Sequence, residues 1–226
     1  MDRRLGEYLD GLNDGKTVFL RNAGANIKSL EPSIKELMAK YSIKRIHVAT
    51  HTDCGGMNVV SSSVGKKESV SKHIWENLVE QFSEVKFENR DELERKNEVL
   101  QKEAAKKIAG EGVEVSSELI DVNVINAYTR NNEHTVVITK PSCKRYGEIT
   151  SMLNIGIYNA YVVQSSNIDN IIADIEIVKN YLNVVNMEFL AFDKDEYLQT
   201  ITDMMNEKDK EFMDDSMMIS FIKAKK

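Results

Sequence analysis

Cysteine and proline are almost missing from this chain, with two of each among 226 residues. Cys54 and Cys143 cannot build a disulfide framework, so a reducing compartment fits, and metal binding or catalysis suits either thiol better than bridging. Two prolines leave no Pro-rich linker. No apolar run approaches the roughly 20 residues of a membrane-spanning helix, and the opening MDRRLGEYLD is too charged for a secretory signal. An excess of basic residues is missing too: 30 Lys and Arg against 36 Asp and Glu give a net charge of −6. No basic stripe is interleaved with aromatics, so neither nucleic acid nor a membrane is an expected partner. What remains is a cytoplasmic globular chain, 42% hydrophobic, able to bury one large core or two small ones.

The patterning that is present predicts an α/β fold. TVFLRNAGA reads as a short β-type run closing in a Gly-bearing turn, and SLEPSIKELMAKYS reads as a helix entered at its Ser and Pro. IKRIHVATHTDCGGM is a strand followed by a turn. Strand, helix, strand in this order argues for a parallel sheet flanked by helices, in which chemistry collects at the carboxyl ends of strands. Residues 66–110 are charge-rich with apolar residues at helical spacing, predicting two outer helices with Trp75, Leu78 and Phe82 on a buried face. GVEVSSELIDVNV reads as an edge strand or two, HTVVITKP as a strand opening the second half, and the acidic tail as a solvated helix before a closing strand.

The chain also matches itself. At an offset of 141 residues RRLGEYLDGLNDG lies over KRYGEITSMLNIG, and Arg4, Gly6, Glu7, Leu12, Asn13, Gly15, Asn26, Ile27 and Ile34 meet identical partners. This predicts two domains, a first copy over residues 1–133 and a degenerate second copy over 134–226. In the second copy His51 falls on Phe192, Cys54 on Asp195, Asp53 on Lys194, Arg21 on Val162 and Gly24 on Ser165. Cys143 falls on Asp2 and is expected to be an inert thiol. The strand TVVITK has no counterpart before Met1, so the first copy begins one strand late.

HTDCGG, residues 51–56, places an imidazole and a thiol three residues apart in a turn, where both can face one metal while Gly55 and Gly56 let the backbone pass close. Zinc suits that nitrogen and sulfur pair, and a catalytic zinc takes three protein ligands and keeps one position for water. Alone, this stretch would be a capped turn with a small buried thiol, and Asp2 with Arg4 a surface ion pair worth little.

Together, HTDCGGM after a strand, RNAGA about thirty residues before it and MDRRL earlier still resemble the β-class carbonic anhydrases. The resemblance is close over residues 1–57, weaker to about 130, and returns as the degenerate copy. The family pattern runs Cys-x-Asp-x-Arg, then R-N-A-G, then H-T/S-x-C-G, and its first Cys, its His and its second Cys hold zinc. The resemblance therefore implies zinc on His51 and Cys54, with Asp2 and Arg4 as the pair governing the open coordination site and Arg21 to Gly24 shaping the pocket wall. In the family the aspartate accepts a hydrogen bond from zinc-bound water or swings onto the metal, and the arginine competes for it.

The family's first Cys falls one place before Met1. Three readings stand: the segment starts at the internal Met of a longer Cys-Met-Asp-Arg-Arg, Asp2 itself completes a His51, Cys54 and Asp2 site, or the site is silent. The function implied is reversible hydration of CO2 to bicarbonate by zinc-bound hydroxide, the metal having lowered the pKa of bound water to about 7. Related zinc hydrolases act on CS2 or COS, and a catalytically inactive binding or scaffold protein is the alternative from a different class. Family members are tight dimers with sites at the subunit boundary, so the tandem repeat implies that dimer fused into one chain, an intramolecular pseudo-dimer; homo-oligomerisation beyond it is open.

Overall fold

The computed structural model describes residues 2–125, 134–182, 184–191 and 218–223. In chain order the elements are α1 (Gly6–Gly11), α2 (Ile27–Lys40), β1 (Arg45–His51), α3 (Gly55–Ser63), α4 (Lys72–Ile74), α5 (Arg90–Ile108), β2 (Glu114–Ile120), β3 (His134–Thr139), α6 (Tyr146–Met152), β4 (Ala160–Gln164), α7 (Ile168–Leu182), β5 (Val184–Ala191) and β6 (Met218–Lys223). Every strand pairing is parallel, in a two-stranded sheet β1-β2 and a four-stranded sheet β4-β3-β5-β6. The fold is therefore the expected α/β class, parallel sheets flanked by helices. It divides into two compact units, residues 23–125 and residues 2–22 together with the described residues from 134 onward.

In the unit of residues 23–125, α2 begins earlier than its Ser and Pro suggested. Asn26 caps it, its side chain accepting from the Ser29 N–H at 3.3 Å, and an N-cap acceptor outweighs the preference of Pro for the first turn. Pro32 consequently sits inside the helix, where it forfeits one ladder hydrogen bond. Trp75, Leu78 and Phe82 form the buried face expected of them, on an irregular helical stretch that continues α4 through Trp75–Val79 and Glu80–Phe82. α5 is the long helix, capped by Asn89 through the Glu92 N–H at 2.9 Å and flanked by Asp91 and Glu92 at its start and Lys106 and Lys107 at its end, charges that favour a helix dipole of that polarity.

In the other unit β4 is buried along its whole length and β3 from Thr135 onward, as a parallel sheet covered on both faces demands. Alternate residues divide between the faces. Val136, Ile138, Tyr161 and Val163 pack with Ile171, Ile172, Ile175 and Val178 of α7, while Val137, Ala160 and Val162 pack with Tyr146 and Ile149 of α6. α1 lies against α6 so closely that a Cβ on Gly6 would stand 2.6 Å from the Tyr146 ring, and Asp10 of α1 accepts from the Tyr146 N–H and, at 2.8 Å, the Gly147 N–H. The TVFLRN run is not a full strand: Phe19 and Arg21 make isolated antiparallel bridges to Ser142 and Gln164. The closing strand of the tail is β6; the expected tail helix, and Phe192, Lys194 and Asp195, lie outside the described residues.

Candidate metal centre

β1 delivers His51 as its last residue, at the carboxyl end of the sheet. The end of the strand is pinned to β2: the Thr52 N–H donates to the Ile120 carbonyl at 2.9 Å, and the Thr52 hydroxyl accepts from the Val122 N–H at 3.1 Å and donates to Asp121 at 3.2 Å. The Asp121 carboxyl is held below the usual carboxylate range, first by the Asn123 backbone N–H it accepts. The His51 ring points Nδ1 at the Thr52 carbonyl, 2.8 Å away. A carbonyl only accepts, so Nδ1 carries the proton and the neutral ring has its lone pair on Nε2, the arrangement a ligating imidazole uses.

Asp53 then takes a left-handed conformation, φ 51°, a strain of about 1 kcal/mol for a non-glycine residue and least for Asp and Asn. That turn sets Cys54 at the N-cap of α3. Its side chain makes no cap hydrogen bond, although Ser, Thr, Asp or Asn at this position would. The thiol is 4% exposed and in no disulfide.

The RNAG turn backs the ligand turn. Gly24, φ 67°, is packed so that a Cβ would meet the Met57 terminal methyl at 2.9 Å, and a Cβ on Gly56 would stand 3.0 Å from the Gly24 backbone nitrogen. The two glycine-bearing motifs belong together because their backbones touch. α5 fastens both. Asn97 donates to the Gly24 carbonyl at 2.9 Å, and Gln101 accepts from the Ile27 N–H at 2.9 Å while donating to Asn97 at 3.0 Å and Gln81 at 2.9 Å. Glu94, 2% exposed, accepts from the Cys54 N–H at 2.9 Å and from Nε of Arg90 at 3.1 Å. Arg90 in turn donates to the Cys54 carbonyl and to Asp53, each at 3.0 Å. Arg90, Glu94, Asn97 and Gln101 fall on one stripe of α5, and the sequence reading, which took this helix as a charged outer face, missed them.

Asp2 and Arg4 come together as the pair expected. Asp2 Oδ1 accepts from the Arg4 N–H at 2.8 Å and Nε at 3.0 Å, and Oδ2 accepts from the terminal guanidinium nitrogen at 2.8 Å. This pair belongs to the unit of residues 2–22 and 134 onward, whereas His51 and Cys54 belong to the unit of residues 23–125. Arg21, in the former unit, is 3% exposed, stacked 4.5 Å above the Phe19 ring and 5.5 Å from the Tyr146 ring. Burial pulls its pKa down to about 10 and pushes the Tyr146 hydroxyl well up. Cys143, by contrast, is exposed.

His51 and Cys54 fit two zinc ligands by donor chemistry: an imidazole of the right tautomer and a buried thiol spared from capping. Among the described residues no group of three or more His, Cys, Asp and Glu stands close enough to hold a metal, and both Asp2 oxygens accept from Arg4.

Residues 2–142 match the carbonic anhydrase family, and the chain belongs to its β-class. No curated protein and no solved structure matches the chain. Among the described residues no helix is long and apolar enough to cross a membrane.

Proposed function

We propose that the chain is a zinc-dependent lyase of the carbonic anhydrase type that interconverts CO2 and bicarbonate, with His51 and Cys54 as zinc ligands and a reducing cytoplasmic setting keeping the thiol available. The observation that carries this reading is the ligand turn itself: Nδ1 of His51 committed to Thr52, the thiol of Cys54 spared from capping, and Gly56 seated on Gly24. Zinc, when bound, supplies the Lewis acidity that lets water act as a nucleophile at neutral pH. Hydration joins the oxygen of water to the carbon of CO2 and releases one proton to solvent. Within its own unit Asp2 is held by Arg4 through charge-assisted hydrogen bonds.

The tandem organisation is part of the proposal. Elements recur at the offset of 141 residues: α1 with α6, α2 with α7, β1 with β5. Asn26 and Asn167, identical across the repeat, do the same work, since Asn167 accepts from the Asp169 N–H at 3.1 Å at the start of α7. On this reading one copy of the repeat carries the ligands and the other does not.

The test is metal analysis of purified protein together with stopped-flow CO2 hydration. Stoichiometric zinc and hydration that both vanish in Cys54→Ser are expected. Metal-free protein without activity would overturn the reading in favour of a non-catalytic member of the family, and hydration of COS or CS2 in place of CO2 would move the substrate assignment.

A further inference from the structure

We propose that Arg90 and Glu94 of α5 are positioning residues for the Cys54 ligand, a role that rests on the zinc reading of the turn but acts before any metal arrives. The two side chains form an ion pair, Arg90 Nε to Glu94 Oε1 at 3.1 Å, and between them they hold both polar atoms of one backbone residue. Glu94 accepts the Cys54 N–H and Arg90 donates to the Cys54 carbonyl. The same carbonyl accepts the Asn58 N–H at 3.0 Å, the opening bond of α3, so the clamp also fixes where that helix starts. The same terminal nitrogen of Arg90 that donates to Cys54 also reaches the Asp53 carboxylate at 3.0 Å, the residue whose left-handed backbone turns the chain between His51 and Cys54.

This arrangement is specific to a cysteine that must keep its side chain for something else. An ordinary N-cap residue fixes the helix start with its own oxygen, but Cys54 does not. Here the fixing is done from outside, by a carboxylate that is itself almost fully buried, its side chain 3% exposed, and whose negative charge is matched by Arg90. Burying that carboxylate is tolerable only because it is paired and hydrogen-bonded. With the backbone on both sides of Cα held, the direction in which the thiol leaves the turn is set in the folded chain.

The experiment compares Glu94→Ala, Glu94→Gln and Arg90→Ala with the parent in a Cys143→Ser background, so that Cys54 is the single thiol. Two quantities are read: the affinity for Zn2+ by chelator competition, and the rate at which iodoacetamide alkylates Cys54 in metal-free protein under native conditions. Glu94→Ala and Arg90→Ala are expected to weaken zinc binding about 10- to 100-fold, the range for partners that orient a ligand, and to speed alkylation several-fold. Glu94→Gln keeps an oxygen for the Cys54 N–H and is expected to fall between, a graded rescue that general destabilisation would not give. Glu103→Ala, at an exposed pair with Lys106 on the same helix, should change neither quantity. Equal affinity and equal alkylation in parent and Glu94→Gln overturn the clamp, and this variant carries the decision if Glu94→Ala fails to fold. If the parent binds no zinc, the zinc reading fails and the alkylation rates still decide the clamp.

Discussion

Two regions of this molecule bury charge and polarity in opposite ways. In the unit of residues 23–125, Glu94, Asn97 and Gln101 are at most 2% exposed and each has hydrogen-bond partners assigned. In the other unit Arg21 is as deeply buried, yet among the described residues none of its three guanidinium nitrogens has a hydrogen-bond partner, and it rests on the faces of Phe19 and Tyr146. A saturated network specifies a geometry, because every alternative arrangement strands a polar atom. An unpaired guanidinium specifies none, and ring faces offset only part of its desolvation. The contrast follows the sequence motifs: the network surrounds the turn that carries His51 and Cys54.

Breaking the network should give the largest effect. Gln101→Ala leaves the Ile27 N–H without its acceptor and removes a fully buried side chain that joins α5 to α2, Gln81 and Asn97. The expected cost is about 3 kcal/mol, from the orphaned donor and the cavity together. Trp75, the only tryptophan, lies buried in the same unit, so urea unfolding followed by its fluorescence reports this unit directly. A loss below about 1 kcal/mol would mean that the network is dispensable.

Arg21→Met should act in the opposite direction. Replacing an unpaired buried guanidinium with an apolar chain of similar length is expected to raise stability by about 1 kcal/mol, seen as a higher midpoint in a thermal melt followed by circular dichroism. The sign with pH follows from the lowered pKa of about 10. Below pH 10 the guanidinium is charged in both folded and unfolded chains, and its burial penalty is present in full. Above pH 10 the folded chain gives up the proton first, the unfolded chain binds more protons, and the parent gains stability relative to Arg21→Met. The advantage of Arg21→Met should therefore be constant up to pH 10 and shrink beyond it. A variant less stable than the parent at neutral pH would show that the ring contacts outweigh the desolvation.

Much of this comparison was legible in the residues. HTDCGG and RNAG carried the strand end and the glycine turns, because glycine at a close backbone approach has few competing explanations. Parallel pairing followed from strand, helix, strand order. The network on α5 was not legible, since Arg90, Glu94, Asn97 and Gln101 lie in a charge-rich helix where polar residues ordinarily mean solvent; only their common stripe, read against a partner loop, turns them inward. The start of α2 was misread for a related reason. Pro32 carries a familiar signal for a first turn, but Asn26 supplies a capping oxygen three residues before the Ser29 at which the pattern opens the helix, and the contact through Gln101 secures the early start.

The two capping asparagines sharpen the comparison with the smallest change. Asn26 and Asn167 are identical residues at equivalent places in the repeat, and each accepts a backbone N–H at a helix start. Asn26 has a further bond, from its amide to the Asn77 carbonyl. It is 2% exposed and Asn167 is not buried. Asn167→Ala should then cost about 1 kcal/mol, the ordinary worth of a cap, and Asn26→Ala more, because the same truncation there also takes the donor from the partly buried Asn77 carbonyl. Urea midpoints of the two variants, each set against the parent, measure the gap. Equal losses would mean that the network of the first unit adds nothing to its caps, and that burial alone, without hydrogen bonding, separates the two halves.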